Sequence, residues 1–334
     1  MSLITAGIDV SAKSLMVDVL RDGERVSGGK PWLAANTREG HVGLIEKLRA
    51  LKVDRIVCEA TGVYHLDMAM ALVHADLPLM VANPRQVRCF IQARSRNTQT
   101  DSIDAHELAQ FGLRMAFEPW QAPDPAHYAL HRIARSLHGY VAQGTAAKNR
   151  LHAADASEDT PVILRKMLKR EIAFLEATVE TLRKEALKLI ARDATLARQV
   201  ELMVTVPGIA ETSAIRVLGE LCVLPPKLTA KAWVKSAGLD PTSKESGASV
   251  KTKPHISKRG NSFLRSALYM PALSARRHDP GLKFFADRLV ANGKTKMQAV
   301  IAVARKLLHG IHAMTALNQP WNSSALVPMP PKMA

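Results

Sequence analysis

The chain has 334 residues, with 46 Lys plus Arg against 30 Asp plus Glu, a formal net charge of +16 and 47% hydrophobic residues. The hydrophobic share excludes a wholly disordered chain, the length calls for two or three domains, and the positive excess points to a polyanionic partner. With 4% aromatic residues, single-strand binding on a platform of stacked rings is not expected. Cys58, Cys89 and Cys222 are scattered, with neither a CxxC pair nor a Cys/His pair at zinc spacing. That pattern suits a reducing cytosol. The start, MSLITAGIDVSAKS, has no basic segment followed by a long apolar one, so no signal peptide is expected. The longest apolar stretch, Leu66 to Ala82, is broken by Asp67, His74 and Asp76, so a soluble protein without a membrane span is expected.

Residues 3–9 read as a buried strand ending in Asp9, and residues 14–20 as a second. The tetrad RDGE at 21–24 is a turn, with a third strand expected near Arg25 to Ser27. Val42, Leu44, Ile45, Leu48 and Leu51 give residues 38–51 helical spacing. The run RIVCEATG reads as a strand ending in Glu59, followed by a helix over Tyr64 to His74 and a strand at 77–83. A meander followed by alternating helix and strand is an α/β pattern, and its order resembles the ribonuclease H-like fold.

Residues 84–100 carry Arg85, Arg88, Arg94 and Arg96 without an acid. A helix is expected to open at Thr100 or Asp101. The proline-rich EPWQAPDP at 118–125 marks a boundary. From 126 to 200 the chain reads as helical, broken by DASEDTP at 155–161. Its apolar seam from Ile163 to Ile190 fits either an intramolecular hairpin or a dimer interface. Residues 201–220 read as a helix-hairpin-helix, with Pro207 and Gly208 at the turn and Ile209 as plug. Such a turn can offer backbone N–H groups to a nucleic-acid phosphate, or it can be an ordinary helix corner. Helical signals resume at 229–237 and beyond 261, and the terminal residues 326–334 read as a frayed tail. The organisation expected is an α/β domain at 1–125, a helical region at 126–200 and a mainly α domain at 201–325.

Four carboxylates stand at informative places: Asp9 and Glu59 ending strands, and Asp101 with Asp104 three apart on one helix face. Singly, each is commonly a cap or turn residue. Together in a basic protein they suggest an all-oxygen site for Mg²⁺ or Mn²⁺, suited to phosphoryl transfer. The segment 233–268 carries Lys244, Lys251, Lys253, Lys258, Arg259 and Arg265 against only Asp240 and Glu245. It reads as a solvated basic loop touching phosphates, or as a phosphate-handling site with a nucleophile. Its composition does not select Ser246 over Ser243, Ser249, Ser257 or Ser262.

The stretches GIDVSAK, VCEATGVY, TDSIDAHELA, VPGI, AGLDP followed by SG, and SKRGNSFLR occur in this order. They resemble the DEDD transposases of the insertion-sequence one-ten family, relatives of the pilin-gene invertases. The resemblance implies a RuvC-like N-terminal domain whose acidic positions match Asp9, Glu59, Asp101 and Asp104. It implies that Ser246 matches a recombinase serine forming a covalent 5′-phosphoserine link to DNA, in an active site completed by another subunit. It further implies guidance by a bridge RNA pairing with donor and target DNA, assembly as dimers and tetramers, and a prokaryotic cytoplasmic setting, nucleoid-associated during transposition. A hydrolytic resolvase-type nuclease and a non-catalytic nucleic-acid scaffold are the alternatives.

Overall fold

The computed structural model describes residues 2–26, 29–60, 64–94, 101–243, 245–246, 250–251 and 255–327, with backbone alone at 245–246 and 250–251. Two compact units divide the chain, Met1–Ala122 and Pro123–Ala334.

In the N-terminal unit β1 (Ile4–Val10) and β2 (Ser14–Arg21) form an antiparallel pair. Asp22 and Gly23 take φ of 52° and 95°, as a two-residue type I′ hairpin requires. The turn leads into β3 (Glu24–Arg25), and β4 (Trp32–Ala35) pairs with the first half of β2. The expected third strand is described as Glu24–Arg25, Ser27 lies outside the described residues, and β4 supplies most of that edge. Helix α1 (Arg38–Ala50), capped by Thr37, leads to β5 (Arg55–Glu59), which lies parallel to β1. Helix α2 (Leu66–His74) then leads to β6 (Leu79–Ala82), parallel to β5. The sheet order is β3-β2-β1-β5-β6, a meander extended by two parallel crossovers.

Helix α3 (Pro84–Ala93) opens on an Asn83 cap and leads towards α4 (Asp101–Arg114). The arginine-rich sequence had hidden α3, whose Val87, Phe90 and Ile91 pack with Leu108 and Phe111 of α4. The Phe90 and Phe111 rings meet edge-on at 5.3 Å. On the opposite sheet face, Leu44, Leu48, Met68 and Leu72 are fully or almost fully buried. Each such side chain contributes about 2 kcal/mol relative to an exposed one. The sheet is therefore covered on both sides, with α1 and α2 on one and α3 and α4 on the other.

The C-terminal unit is mainly helical. Helix α5 (Pro125–Asp155) starts on an Asp124 cap and packs as a hairpin with α6 (Val162–Ala191). Lys148–Glu176 at 2.7 Å and Arg150–Glu171 at 2.6 Å bridge the two helices. Leu175, Ala186 and Ile190 are buried, whereas Val162, Ile163, Met167 and Phe174 remain exposed.

Helix α7 (Ala194–Met203) and α8 (Glu211–Leu221) flank the Pro207–Gly208 turn, and α9 (Ala230–Ser236) follows. Two short ribbons come next: β7 (Pro241–Thr242) pairs with β10 (His255–Ile256), and β8 (Glu245–Ser246) pairs with β9 (Val250–Lys251). Helices α10 (Ser262–Ala267), α11 (Tyr269–His278), α12 (Pro280–Ala291), α13 (Lys296–Leu317) and α14 (Ser323–Leu326) complete the unit. One core joins these helices to α5 and α6. Helix α13 is long and apolar enough to cross a membrane by length and composition. Its Val300, Val303, Leu307, Leu308 and Ile311 are buried in that core, which accounts for the apolar run.

Candidate active site

Alternation along β1 decides what faces α4. Ile4, Ala6, Ile8 and Val10 pack in the core shared with α1 and α2, so Thr5, Gly7 and Asp9 face the other way. Gly7 is where helix meets strand: a Cβ there would stand 1.9 Å from the Ala105 carbonyl oxygen and 2.4 Å from the Ala109 nitrogen. The backbone of α4 therefore rests directly on β1, and Asp9 lies one pleat further along the same face.

The parallel register pairs Gly7 with Val57 and Ile8 with Cys58. The next residues, Asp9 and Glu59, follow on neighbouring strands, Asp9 still paired with Met16 of β2 and Glu59 with Ala82 of β6. Val57 packs against Gly112 of α4, whose absent Cβ would lie 2.6 Å from a Val57 methyl. Glu59, two residues on, shares that face. Asp101 and Asp104 sit in the first turn of α4, where the helix dipole favours anions.

The charges interact. Burial, then Asp104 and Asp101, push the Asp9 carboxyl from its ordinary 3.8 up to about 6, against a backbone hydrogen bond from Val10. Glu59 is raised by burial and then by Asp9 and Asp104. Asp104 is raised by burial and then by Asp101 and Glu107. Four carboxylates from two strands and one helix thus share one electrostatic neighbourhood. Among the described residues, no three His, Cys, Asp or Glu side chains are drawn close enough to hold a metal ion as they stand. The donor chemistry nevertheless fits a hard divalent cation: oxygen only, in excess, and mutually repelling.

Polar contacts on the rest of α4 went unread in the sequence. Asp18, opposite Gly7 in the β1–β2 register, is 2% exposed. Its carboxylate lies 3.0 Å from His106 Nδ1 and 3.1 Å from Arg25 Nε. Glu107, fully buried, pairs with Arg94 Nε at 2.8 Å. Arg94, read from sequence as a nucleic-acid contact, is thus engaged inside the unit, whereas Arg85 and Arg88 are exposed on α3. Arg96 lies outside the described residues.

In the C-terminal unit Ser246 belongs to β8, and its backbone pairs with Val250. Lys251 is in β9, and Lys253 lies outside the described residues. Arg265 is occupied internally, its guanidinium donating to the Ala237 carbonyl at 2.8 Å. Arg259 and Lys258 are exposed, and the Lys258 amide donates to the Gly238 carbonyl. Gly208 has φ of 96°, and a Cβ there would stand 2.6 Å from Ser274 Cβ of α11. The turn is therefore packed on one side and exposed on the other.

A family model described as Transposase matches residues 6–154, spanning the sheet and α4. A second, described as Transposase IS116/IS110/IS902 family, matches residues 200–286. The chain belongs to the IS110 family of transposases. It is 26% identical over 269 residues to the pilin gene-inverting proteins of Moraxella bovis and Moraxella lacunata, covering 80% of this chain and 81% of each relative. It is 36% identical over 86 residues to the insertion element IS110 uncharacterized 43.6 kDa protein of Streptomyces coelicolor, covering 26% of this chain and 21% of that protein. It also matches the solved structure "T. thermophilus RuvC in complex with Holliday junction substrate", at 16% identity and a TM-score of 0.28, over 35% of this chain and 99% of that one. As an IS110-family transposase, the protein is an enzyme that cleaves and rejoins DNA.

Proposed function

We propose that this transposase excises and inserts its own insertion sequence, with Asp9, Glu59, Asp101 and Asp104 holding Mg²⁺ or Mn²⁺ and Ser246 acting as nucleophile. One observation carries the reading: burial, and then the charges of Asp104 and Asp101 on α4, push the Asp9 carboxyl of β1 up to about 6, a cost that a bound cation removes. The proposed functional division is an acidic domain at 1–125, a helical region at 126–200 and a serine-bearing domain at 201–325, followed by a tail.

A divalent cation on these carboxylates would polarise the scissile phosphate and balance charge developing on its oxygens. Ser246 Oγ forms a bond to phosphorus, and its proton passes to solvent. The bond from phosphorus to the 3′ oxygen breaks, and that oxygen takes up a proton and leaves as a 3′-hydroxyl. The 5′-phosphoserine ester keeps the phosphodiester energy, so a 3′-hydroxyl of the exchanged strand can attack it and free Ser246 without ATP. Arg85, Arg88, Lys251, Lys253, Lys258 and Arg259 supply charge for nucleic-acid phosphates. A bridge RNA selects donor and target by pairing, which suits a chain with few aromatics. The exposed apolar residues on α6 support assembly into dimers and tetramers.

The test is recombination of donor and target plasmids with the flanking non-coding RNA. Wild type is expected to give recombinants and a protein–DNA adduct stable on denaturing gels. Ser246→Ala should give neither, and Asp104→Ala should lose both. A Ser246→Ala variant that still nicks DNA without an adduct would replace this reading with hydrolytic cleavage. Recombination unaffected by omitting the RNA would remove the guide.

A further inference from the structure

No Asp or Glu occurs between Glu220 and Asp240, nor anywhere after Asp287. The fold brings these two acid-free stretches together, because α9 packs on α13. The Trp233 ring meets His312 edge-on at 4.9 Å, and His312 Nε2 donates to the Leu228 carbonyl at 2.8 Å. Lys227, Lys231 and Lys235 recur every fourth residue and are exposed. Along α13, Arg305, His309 and His312 follow one another a turn apart and are half-buried. Burial first, and then Arg305, Lys306, His312 and Lys231, hold the His309 pKa below its ordinary value, so Lys231 of α9 lies within electrostatic reach of α13. Lys306 itself turns away, to the Leu326 carbonyl and the Phe285 ring.

Several lysines elsewhere in the unit are matched, Lys184 with Glu180, Lys188 with Glu185 and Lys283 with Asp287. Among the described residues, none of Lys227, Lys231, Lys235, Arg305, His309 and His312 has a carboxylate partner. Uncompensated like charges repel and destabilise a compact surface unless a polyanion covers it.

We propose that the α9–α13 face docks the phosphodiester backbone of duplex DNA. Lysines contact phosphates as point charges without reading sequence. The adjacent ring, Trp233, is half-buried against His312 rather than presented for stacking on a single strand. The lysines proposed here are not among the four acids, Ser246 or the cations named with it, and the proposal does not depend on how those residues act.

The full-length protein with Lys227→Gln, Lys231→Gln and Lys235→Gln tests this against a control with Lys184→Gln, Lys188→Gln and Lys283→Gln, which loses the same charge. Binding to a random-sequence DNA duplex and to an RNA hairpin is measured over a series of KCl concentrations. The α9 variant is expected to bind the duplex about 10-fold more weakly at moderate salt, with the log–log salt slope reduced by about 2 to 3. The control should stay within about 2-fold of wild type, as expected for lysines away from the phosphates. Equal losses in both variants, an unchanged slope, or a loss confined to the RNA hairpin would overturn the proposal. Thermal melting checks that both variants fold; Lys231→Gln alone, expected to lower the slope by about 1, serves if the triple variant does not.

Discussion

His106, two residues beyond Asp104, holds its Nδ1 3.0 Å from the carboxylate of Asp18, a residue 2% exposed in the middle of β2. The contact ties α4 to the sheet two residues beyond Asp104. Asp18→Ala would strand His106 and Arg25 beside a small void. The expected loss is about 2 kcal/mol, below the 3 to 5 typical of fully buried pairs because Arg25 is half exposed. Urea unfolding of wild type and variant measures it, and a loss under 0.5 kcal/mol, the usual range of surface changes, would show that the contact does not fasten the helix.

Gly7→Ala is expected to be the most damaging small change in the N-terminal unit. The new methyl would meet two backbone atoms of α4, which cannot rotate aside as a side chain could. The cost is about 3 kcal/mol or more, the upper range for overpacking. Insoluble expression, or a marked fall in melting temperature, is the expected result. A variant as stable as wild type would mean that α4 crosses β1 at a greater distance.

The acidic neighbourhood makes stability depend on pH with a definite sign. A carboxyl whose pKa rises on folding binds more protons in the native state. Its favourable contribution is complete below its unfolded value of 3.8 and is lost as pH climbs through about 6. In EDTA, the N-terminal unit should therefore lose about 1 to 2 kcal/mol between pH 4 and pH 7, after discounting for solvent screening. Asp9→Asn should flatten this slope. Mg²⁺ should restore wild-type stability at pH 7 and do little at pH 4. An equal slope in wild type and Asp9→Asn would put the pH dependence elsewhere.

Glu220 of α8, 2% exposed, joins three elements of the C-terminal unit. It receives Arg135 of α5 at 2.9 Å and the side-chain amide of Asn261, the cap of α10. Glu220→Ala should cost about 3 kcal/mol by leaving both donors unmatched, and Glu220→Gln about 1 to 2, because one acceptor oxygen remains. Chemical denaturation gives the ordering. Equal effects would show that charge is not what matters there.

Much of the N-terminal architecture was legible because its residues repeat at the right periods. Short apolar runs marked β1 and β2, the RDGE turn marked the hairpin, and Val42 through Leu51 marked α1. What escaped was short or masked by composition. Strand β4 has four residues behind Pro31, α3 shows only three apolar contacts among its arginines, and the ribbons around Ser246 have two residues per strand. Asp9, Glu59, Asp101 and Asp104 stood out because strand ends and a helix start are places that sequence can locate. The Asp18–His106 contact could not be seen, since its partners lie 88 positions apart and each has an ordinary neighbourhood along the chain.

The bare crossing of β1 and α4 at Gly7 sets a limit on how this enzyme can diverge. Where side chains separate two elements, exchanging a larger residue for a smaller one adjusts the gap by fractions of an ångström. Here main chain lies against main chain, so no such adjustment exists, and the span from Asp9 to Asp104 is set by backbone contact. Variation in what the enzyme accepts must accumulate away from that junction, in surfaces that can change without moving it.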